Sequence, residues 1–167
     1  MPLDAVPGLG PMRLRPIRAE DAAALVRYFE RLTAEDVRLR FFAPLRSLST
    51  RQVERFTQVD GERETAFVLE APEEGRPEIL SIGRLAKTQE GPRAEFAVSV
   101  RSDLKGRGIG RFMLTYLIEQ ARQRGFNEIF GDMLEENEAM LALSRELGFT
   151  LTPVAESSAI IRATHAL

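Results

Sequence analysis

Between Arg93 and Arg124 the chain runs through an alternating segment, a six-residue link holding three glycines, and a long amphipathic segment. Ala94, Phe96, Val98 and Val100 alternate with Glu95, Ala97 and Ser99, which is the period of a β-strand. Beyond Lys105-Gly106-Arg107-Gly108-Ile109-Gly110, the residues Ile109, Phe112, Met113, Tyr116, Leu117 and Ala121 recur at helical spacing, so the pattern predicts a helix opening near Gly108. A strand, a glycine turn and a helix in that order make an anion site. The first turn of a helix has unpaired N–H groups and a positive dipole end, and glycine lets a phosphate come close to both. Arg107 and Arg111 add charge at the same place. The stretch reads as a cradle for a diphosphate.

Spacing separates the phosphate loops that could fit. A nucleoside-triphosphatase loop requires Lys-Ser/Thr after its last glycine; here Arg111-Phe112 follow, leaving nothing to hold magnesium. A dinucleotide fingerprint requires a glycine three residues after its second one. That position is Arg111 or Met113, depending on which pair of glycines opens the count. Bulk properties narrow the field further. A net charge of −2 argues against a nucleic-acid binder that relies on global charge. The chain has no cysteine, which excludes thiol nucleophiles, disulfides and cysteine–zinc sites; no metal is expected. No apolar run reaches membrane-span length, and Met1–Pro11 lacks the basic start and apolar core of a secretory signal. The expectation is a cytoplasmic protein with a flexible N-terminal arm over residues 1–11 and one domain over residues 12–167.

Along that domain the patterns predict a strand over Met12–Arg18, helices over Glu20–Thr33 and Ala34–Phe42, and a helix opened by the capping box Ser49-Thr50-Arg51-Gln52 and ending near Val59. Strands follow at Thr65–Glu70, Glu78–Thr88 and Arg93–Val100, then the long helix, stopped by Gly125. Asn127–Met133 reads as a strand, Glu136–Leu147 as a helix, and Phe149–Val154 and Ser158–Ala163 as two last strands. Helices interleaved with strands, with no repeat, give an α+β fold on a mixed sheet. A parallel step falls where the long helix joins two strands. Phe41 and Phe42 are expected in the core, with Arg38 and Arg40 exposed. His165, two residues from the end, is expected in a solvated tail.

The loop at Lys105–Gly110 resembles the Gln/Arg-x-x-Gly-x-Gly loop of the GNAT superfamily of N-acetyltransferases, with lysine at the first position. Its flanks strengthen the likeness: Ala94-Glu95 ten residues before, then Leu134-Glu135-Glu136-Asn137 and Leu147-Gly148-Phe149 after, all in the family's order. The resemblance spans about Met12–Ala163. It implies the GNAT acyl-CoA N-acyltransferase fold, a mostly antiparallel mixed sheet whose central parallel pair splays apart, flanked by helices. It also implies acetyl-CoA as cosubstrate, gripped by Lys105, Gly106, Arg107, Gly108, Ile109, Gly110 and Arg111, with Asn137 on the coenzyme arm. Val98, Ser99 and Val100 would meet the pantetheine through their backbone.

An acetyltransferase must make its acceptor nitrogen neutral. For a lysine of pKa about 10.4 this costs roughly 4–5 kcal/mol at neutral pH. Glu95, on the strand face opposite the apolar set, is the expected general base, with Asp60, Glu64 and Asp132 as rivals. The family's usual tyrosine acid falls at Ser144, a poor acid.

Three strings resemble the Pat-type protein lysine acetyltransferases in particular. They are Arg38-Leu39-Arg40-Phe41-Phe42; Thr57-Gln58-Val59-Asp60 followed by Glu64 and Ala66; and Met140-Leu141-Ala142-Leu143. They imply a lysine-bearing protein as acceptor, an acyl-CoA synthetase or a relative of one. A small-molecule amine and a non-catalytic acyl-CoA-sensing module stay open as alternatives. A homodimer is compatible with the sequence.

Overall fold

The computed structural model describes residues 8–156 and 159–167. Seven strands form one sheet in the order β1-β2-β3-β4-β5-β7-β6. They are β1 (Arg13–Pro16), β2 (Glu64–Glu73), β3 (Arg76–Lys87), β4 (Arg93–Val100), β5 (Glu128–Leu134), β6 (Thr150–Pro153) and β7 (Ile160–Ala166). Every pairing is antiparallel except β4 with β5. Five helices flank the sheet: α1 (Ala22–Glu30), α2 (Ala34–Phe41), α3 (Thr50–Thr57), α4 (Ile109–Gln123) and α5 (Glu138–Glu146). The α+β mixed sheet with a parallel step at α4 is therefore observed.

The boundaries follow local chemistry. Thr33 caps α2 by accepting from the Asp36 N–H at 3.1 Å, so the helix expected to reach Thr33 stops at Glu30 instead. Ser49 and Gln52 exchange the two bonds of a capping box and open α3. Phe42 ends α2 in the left-handed conformation at φ 61°, its N–H bonded to the Arg38 carbonyl at 2.7 Å. The last strand runs further than expected, to Ala166, and carries His165 with it. Of the expected N-terminal arm, residues 1–7 lie outside the described residues, while Gly10 donates to the Pro72 carbonyl at 2.9 Å. Ser158, the expected start of the last strand, also lies outside them.

Alternation along the strands sorts side chains into two cores. On one face Phe67, Leu69, Leu80, Leu85, Phe96 and Val98 meet Met113, Leu114 and Leu117 of α4. On the other, Val68, Ile79 and Ile82 meet Leu25 and Tyr28 of α1 and Val53 of α3. Helix α4 lies directly on the sheet at Gly83, where a Cβ would come within 2.6 Å of the Met113 Sδ. Below the cradle, Arg101 at the end of β4 is 1% exposed and paired with Asp103 and Glu73. It fixes the turn that leads into the glycine loop.

Candidate active site

The parallel pair β4–β5 holds together for three rungs only, Arg93↔Glu128, Ala94↔Ile129 and Glu95↔Phe130. The strands then part; in the core on the α4 face the Phe96 ring lies over Gly131 of β5, where a Cβ would come within 2.6 Å of it. Meanwhile β4 stays paired to β3 in unbroken register up to Ser81↔Val100. Thr88 donates to the Arg93 carbonyl and Arg101 donates to the Leu80 carbonyl. In an antiparallel ladder alternate residues aim their main chain at opposite neighbours, so the odd-numbered residues of β4 serve β3. Val98 and Val100 therefore turn their N–H and C=O groups toward the gap. The Ser99 carbonyl instead accepts from the Ser81 hydroxyl at 2.7 Å, so of the three expected backbone ligands only Val98 and Val100 have that geometry. Ser99 presents its side chain, hydrogen-bonded at 2.7 Å to the Tyr28 hydroxyl of α1. Burial pushes the Tyr28 phenol well above its usual range.

The gap opens into a cleft of about 800 Å³, walled by α2 on one side and by the glycine loop and α5 on the other. Gly106 and Gly108 adopt φ of 77° and 83°, so glycine is required there for backbone reasons. Gly110 has an ordinary φ, and a Cβ there would touch Leu143 and Val100 at 3.7 Å. Gly108 caps α4, whose first intrahelical bond is Phe112 N–H to the Gly108 carbonyl, so the N–H groups of Ile109 to Arg111 are left for an anion. Lys105, Gly106, Gly108, Ile109, Gly110, Arg111 and Asn137 all line the cleft; Arg107 is exposed and does not. Two of the cations are already engaged: Lys105 pairs with Asp36 of α2, and Arg111 with Glu146 of α5. The Asn137 side chain caps α5, accepting from the Met140 N–H at 3.3 Å.

The candidate bases separate clearly. Asp60 is exposed, outside the cleft lining, and accepts from the N–H groups of Glu62, Arg63 and Glu64, which hold its carboxyl below the usual range. Glu64, Asp132, Asp36 and Glu95 all line the cleft. Glu64 pairs with Arg84 at 2.9 Å, Asp132 takes both nitrogens of Arg162 at 2.8 and 3.0 Å, and Asp36 pairs with Lys105. Glu95 has no hydrogen bond or ion pair among the described residues. The cleft walls strip water from its carboxylate and Asp132 repels it, so its pKa is raised above the ordinary 4.5, against the pull of Arg162 and Arg40.

Ser144, expected to be a poor acid, is fully buried in α5, its hydroxyl has no hydrogen-bond partner among the described residues, and it does not line the cleft. Other expectations are corrected by the structure. His165 is not a solvated tail. It sits in β7 with its ring 4.9 Å from Phe149, and burial lowers its pKa. Phe42 is 41% exposed at the cleft mouth instead of in the core, while Phe41 packs between Phe29 and Phe56. Arg38, expected to be exposed, is half-buried and reaches across to Glu136 at 2.6 Å, and Arg40, also expected to be exposed, turns into the cleft. Sequence reading missed Tyr28, Arg84 and Arg101, polar residues inside apolar patterns, where only their interrupting charge or hydroxyl marked them. Among the described residues no group of three or more acidic, histidine or cysteine side chains could hold a metal, and no helix is long and apolar enough to cross a membrane.

A sheet opened beside a glycine-capped helix is the layout that the resemblance to the GNAT acyltransferases implies. The model of the acetyltransferase (GNAT) domain family matches residues 12–150, and the chain belongs to that family; it is an acyltransferase. "Acetyltransferase PA5475" of Pseudomonas aeruginosa is 29% identical over 136 residues, 81% of this chain and 73% of that protein. The GNAT domain of S. lividans PAT, known from a crystal structure, superposes with a TM-score of 0.84 at 29% identity, covering 98% of this chain and 96% of that one. The L-amino acid N-acyltransferase MnaT of Escherichia coli is 38% identical over 58 residues, 35% of this chain and 34% of that protein.

Proposed function

We propose that this chain transfers acetyl from acetyl-CoA to the side-chain amine of a protein lysine by direct attack, with Glu95 as general base. The observation that carries the reading is Glu95 itself: of the four carboxylates lining the cleft it alone lacks a partner, and its pKa is raised. Glu95 takes a proton from the acceptor ammonium, and the neutral nitrogen attacks the thioester carbonyl carbon. The Val98 N–H, aimed into the gap, is placed to donate to the oxyanion that forms. The C–S bond then breaks, the thiolate leaves, and the nitrogen gives up its surplus proton to water to become the amide. With Ser144 sealed in α5, the thiolate's proton comes from water; a free thiol pKa near 8.5 makes thiolate a tolerable leaving group. The N–H groups of Ile109 to Arg111 hold the coenzyme's diphosphate, and Asn137 lies beside the coenzyme arm.

The protein-lysine reading draws on the Pat-type strings and on the likeness to the S. lividans PAT domain over nearly the whole chain. A small-molecule amine acceptor is the second reading, supported by Arg40, an unpaired cation in the cleft. Thiol release from acetyl-CoA, measured with a lysine-bearing acyl-CoA synthetase and with a panel of polyamines and amino acids, decides between them. Glu95→Gln is expected to lower kcat/KM at pH 7 by roughly 10²–10⁴-fold, the usual worth of a general base. Undiminished turnover in that variant would remove Glu95 from the mechanism. Coenzyme binding with no thiol release for any acceptor would point to a sensor.

A further inference from the structure

Arg40 is a feature of the cleft that acetyl transfer to a plain amine does not use. It lies in the last turn of α2, lines the cleft, and makes no hydrogen bond or ion pair among the described residues; its one close partner is the Phe41 ring, 5.0 Å away. Its nitrogens are not sealed off, since the Ser144 hydroxyl is the only buried side-chain polar atom without a partner among the described residues. A guanidinium keeps its proton and carries five donors, so a partly buried one without an acceptor has unmet hydrogen-bonding capacity facing the ligand space.

Its surroundings say which ligand. Burial disfavours its charge most and Arg84 repels it, while Tyr28, Glu95 and Glu64 favour it electrostatically without pairing with it. Arg84 itself is satisfied by Glu64 and by the Phe56 carbonyl. Glu95, Arg84 and Ser99 share one face of β3–β4, since Ala86 pairs with Glu95, Arg84 with Ala97 and Ile82 with Ser99. Arg40 thus lies on the face where Glu95 meets the amine, opposite the face that packs on α4.

We propose that Arg40 reads a carboxylate carried by the acceptor close to its amine, so that the preferred acceptor is locally zwitterionic: ammonium toward Glu95, carboxylate toward Arg40. The carboxylate can be the side chain of an acidic residue beside the target lysine or the α-carboxylate of a free amino acid. Planar, bidentate pairing is what arginine supplies and lysine does not. This inference rests on Glu95 receiving the amine.

The test uses matched acceptor pairs: lysine peptides with a flanking glutamate or glutamine, and free amino acids against their amides. Wild-type enzyme is expected to favour the carboxylate member of at least one pair by roughly 10–100-fold in kcat/KM, the range of a charged hydrogen bond, mostly through KM. Which pair shows it identifies the source. Arg40→Gln should bring the ratio toward one, and Arg40→Lys should restore part of it. A ratio unchanged by Arg40→Gln, an equal fall for both members, or a loss of acetyl-CoA affinity without loss of discrimination would overturn the proposal. Calorimetric binding of the same pairs to Glu95→Gln enzyme loaded with CoA separates it from the general-base reading. Discrimination that persists there while turnover is lost supports both. Discrimination with normal turnover leaves Arg40 standing and removes Glu95.

Discussion

Glu95 and Arg101 show two ways a charge is tolerated here. Glu95 is raised in pKa, so the folded state binds its proton more tightly than the unfolded chain does. Its ionised form is therefore a small cost to folding once pH rises through the raised pKa. The carboxylate is nevertheless the form that the proposed mechanism uses, so kcat/KM should climb with pH along a limb centred above 4.5, and Glu95→Gln should abolish that limb while leaving the melting temperature equal or higher at neutral pH. A melting temperature that fell with activity would mean the residue is structural. Arg101 is the reverse case, a nearly sealed guanidinium matched by Asp103 and Glu73, with Arg31 bridging the same two acids at 3.1 and 2.5 Å. Arg101→Met leaves the half-buried Glu73 and the exposed Asp103 with Arg31 alone. It should cost about 1–3 kcal/mol in urea unfolding. A loss under 1 kcal/mol would show that Arg31 suffices.

At the scale of elements, the strand–loop–helix unit was legible because three independent patterns met in it: alternation, glycine spacing and helical periodicity. Strand β4 is observed over Arg93–Val100, as expected, and α4 opens at Ile109, beside Gly108. Gly108→Ala should cost about 1–2 kcal/mol, because alanine at φ 83° is strained. It should weaken coenzyme binding more than Gly110→Ala, whose added Cβ meets only ordinary contacts. Equal affinities for the two variants, by calorimetry, would contradict that ranking. What stayed hidden was orientation. The string Arg38–Phe42 was read as two core rings and two exposed cations. Yet Phe42 leaves the helix in a left-handed conformation and swings to the cleft mouth, and the neighbouring turn sends Arg40 inward. Nothing in a run of alternating charge and aromatic residues states where a helix will end. Likewise Tyr28 is buried in α1 while Val26, an apolar residue two positions before it, is 39% exposed.

For the whole molecule, the GNAT fold was recoverable because its landmarks are spread along the chain, from Glu95 to Phe149. The divergence of β4 from β5 was not recoverable from the residues alone, since it depends on a ring from one strand meeting a glycine on the other. Occupation of the cleft should stabilise the protein: at a hundredfold excess over Kd, acetyl-CoA is expected to add about 2.7 kcal/mol, or roughly 5–10 °C in melting temperature for a chain of this size. In hydrogen exchange the Val98 and Val100 amides should slow more than that of Ser99, which already serves β3. Uniform slowing across β4 would contradict the assignment of their main-chain groups to the gap. Past those three rungs the leaf β1–β4 and the leaf β5–β7–β6 share no further ladder pairs among the described residues and are held by side chains of one core, with the Phe96 ring 5.3 Å from that of Phe149. A coenzyme seated in the opening would act as a suture, supplying across the seam the main-chain bonds that the two strands no longer give each other.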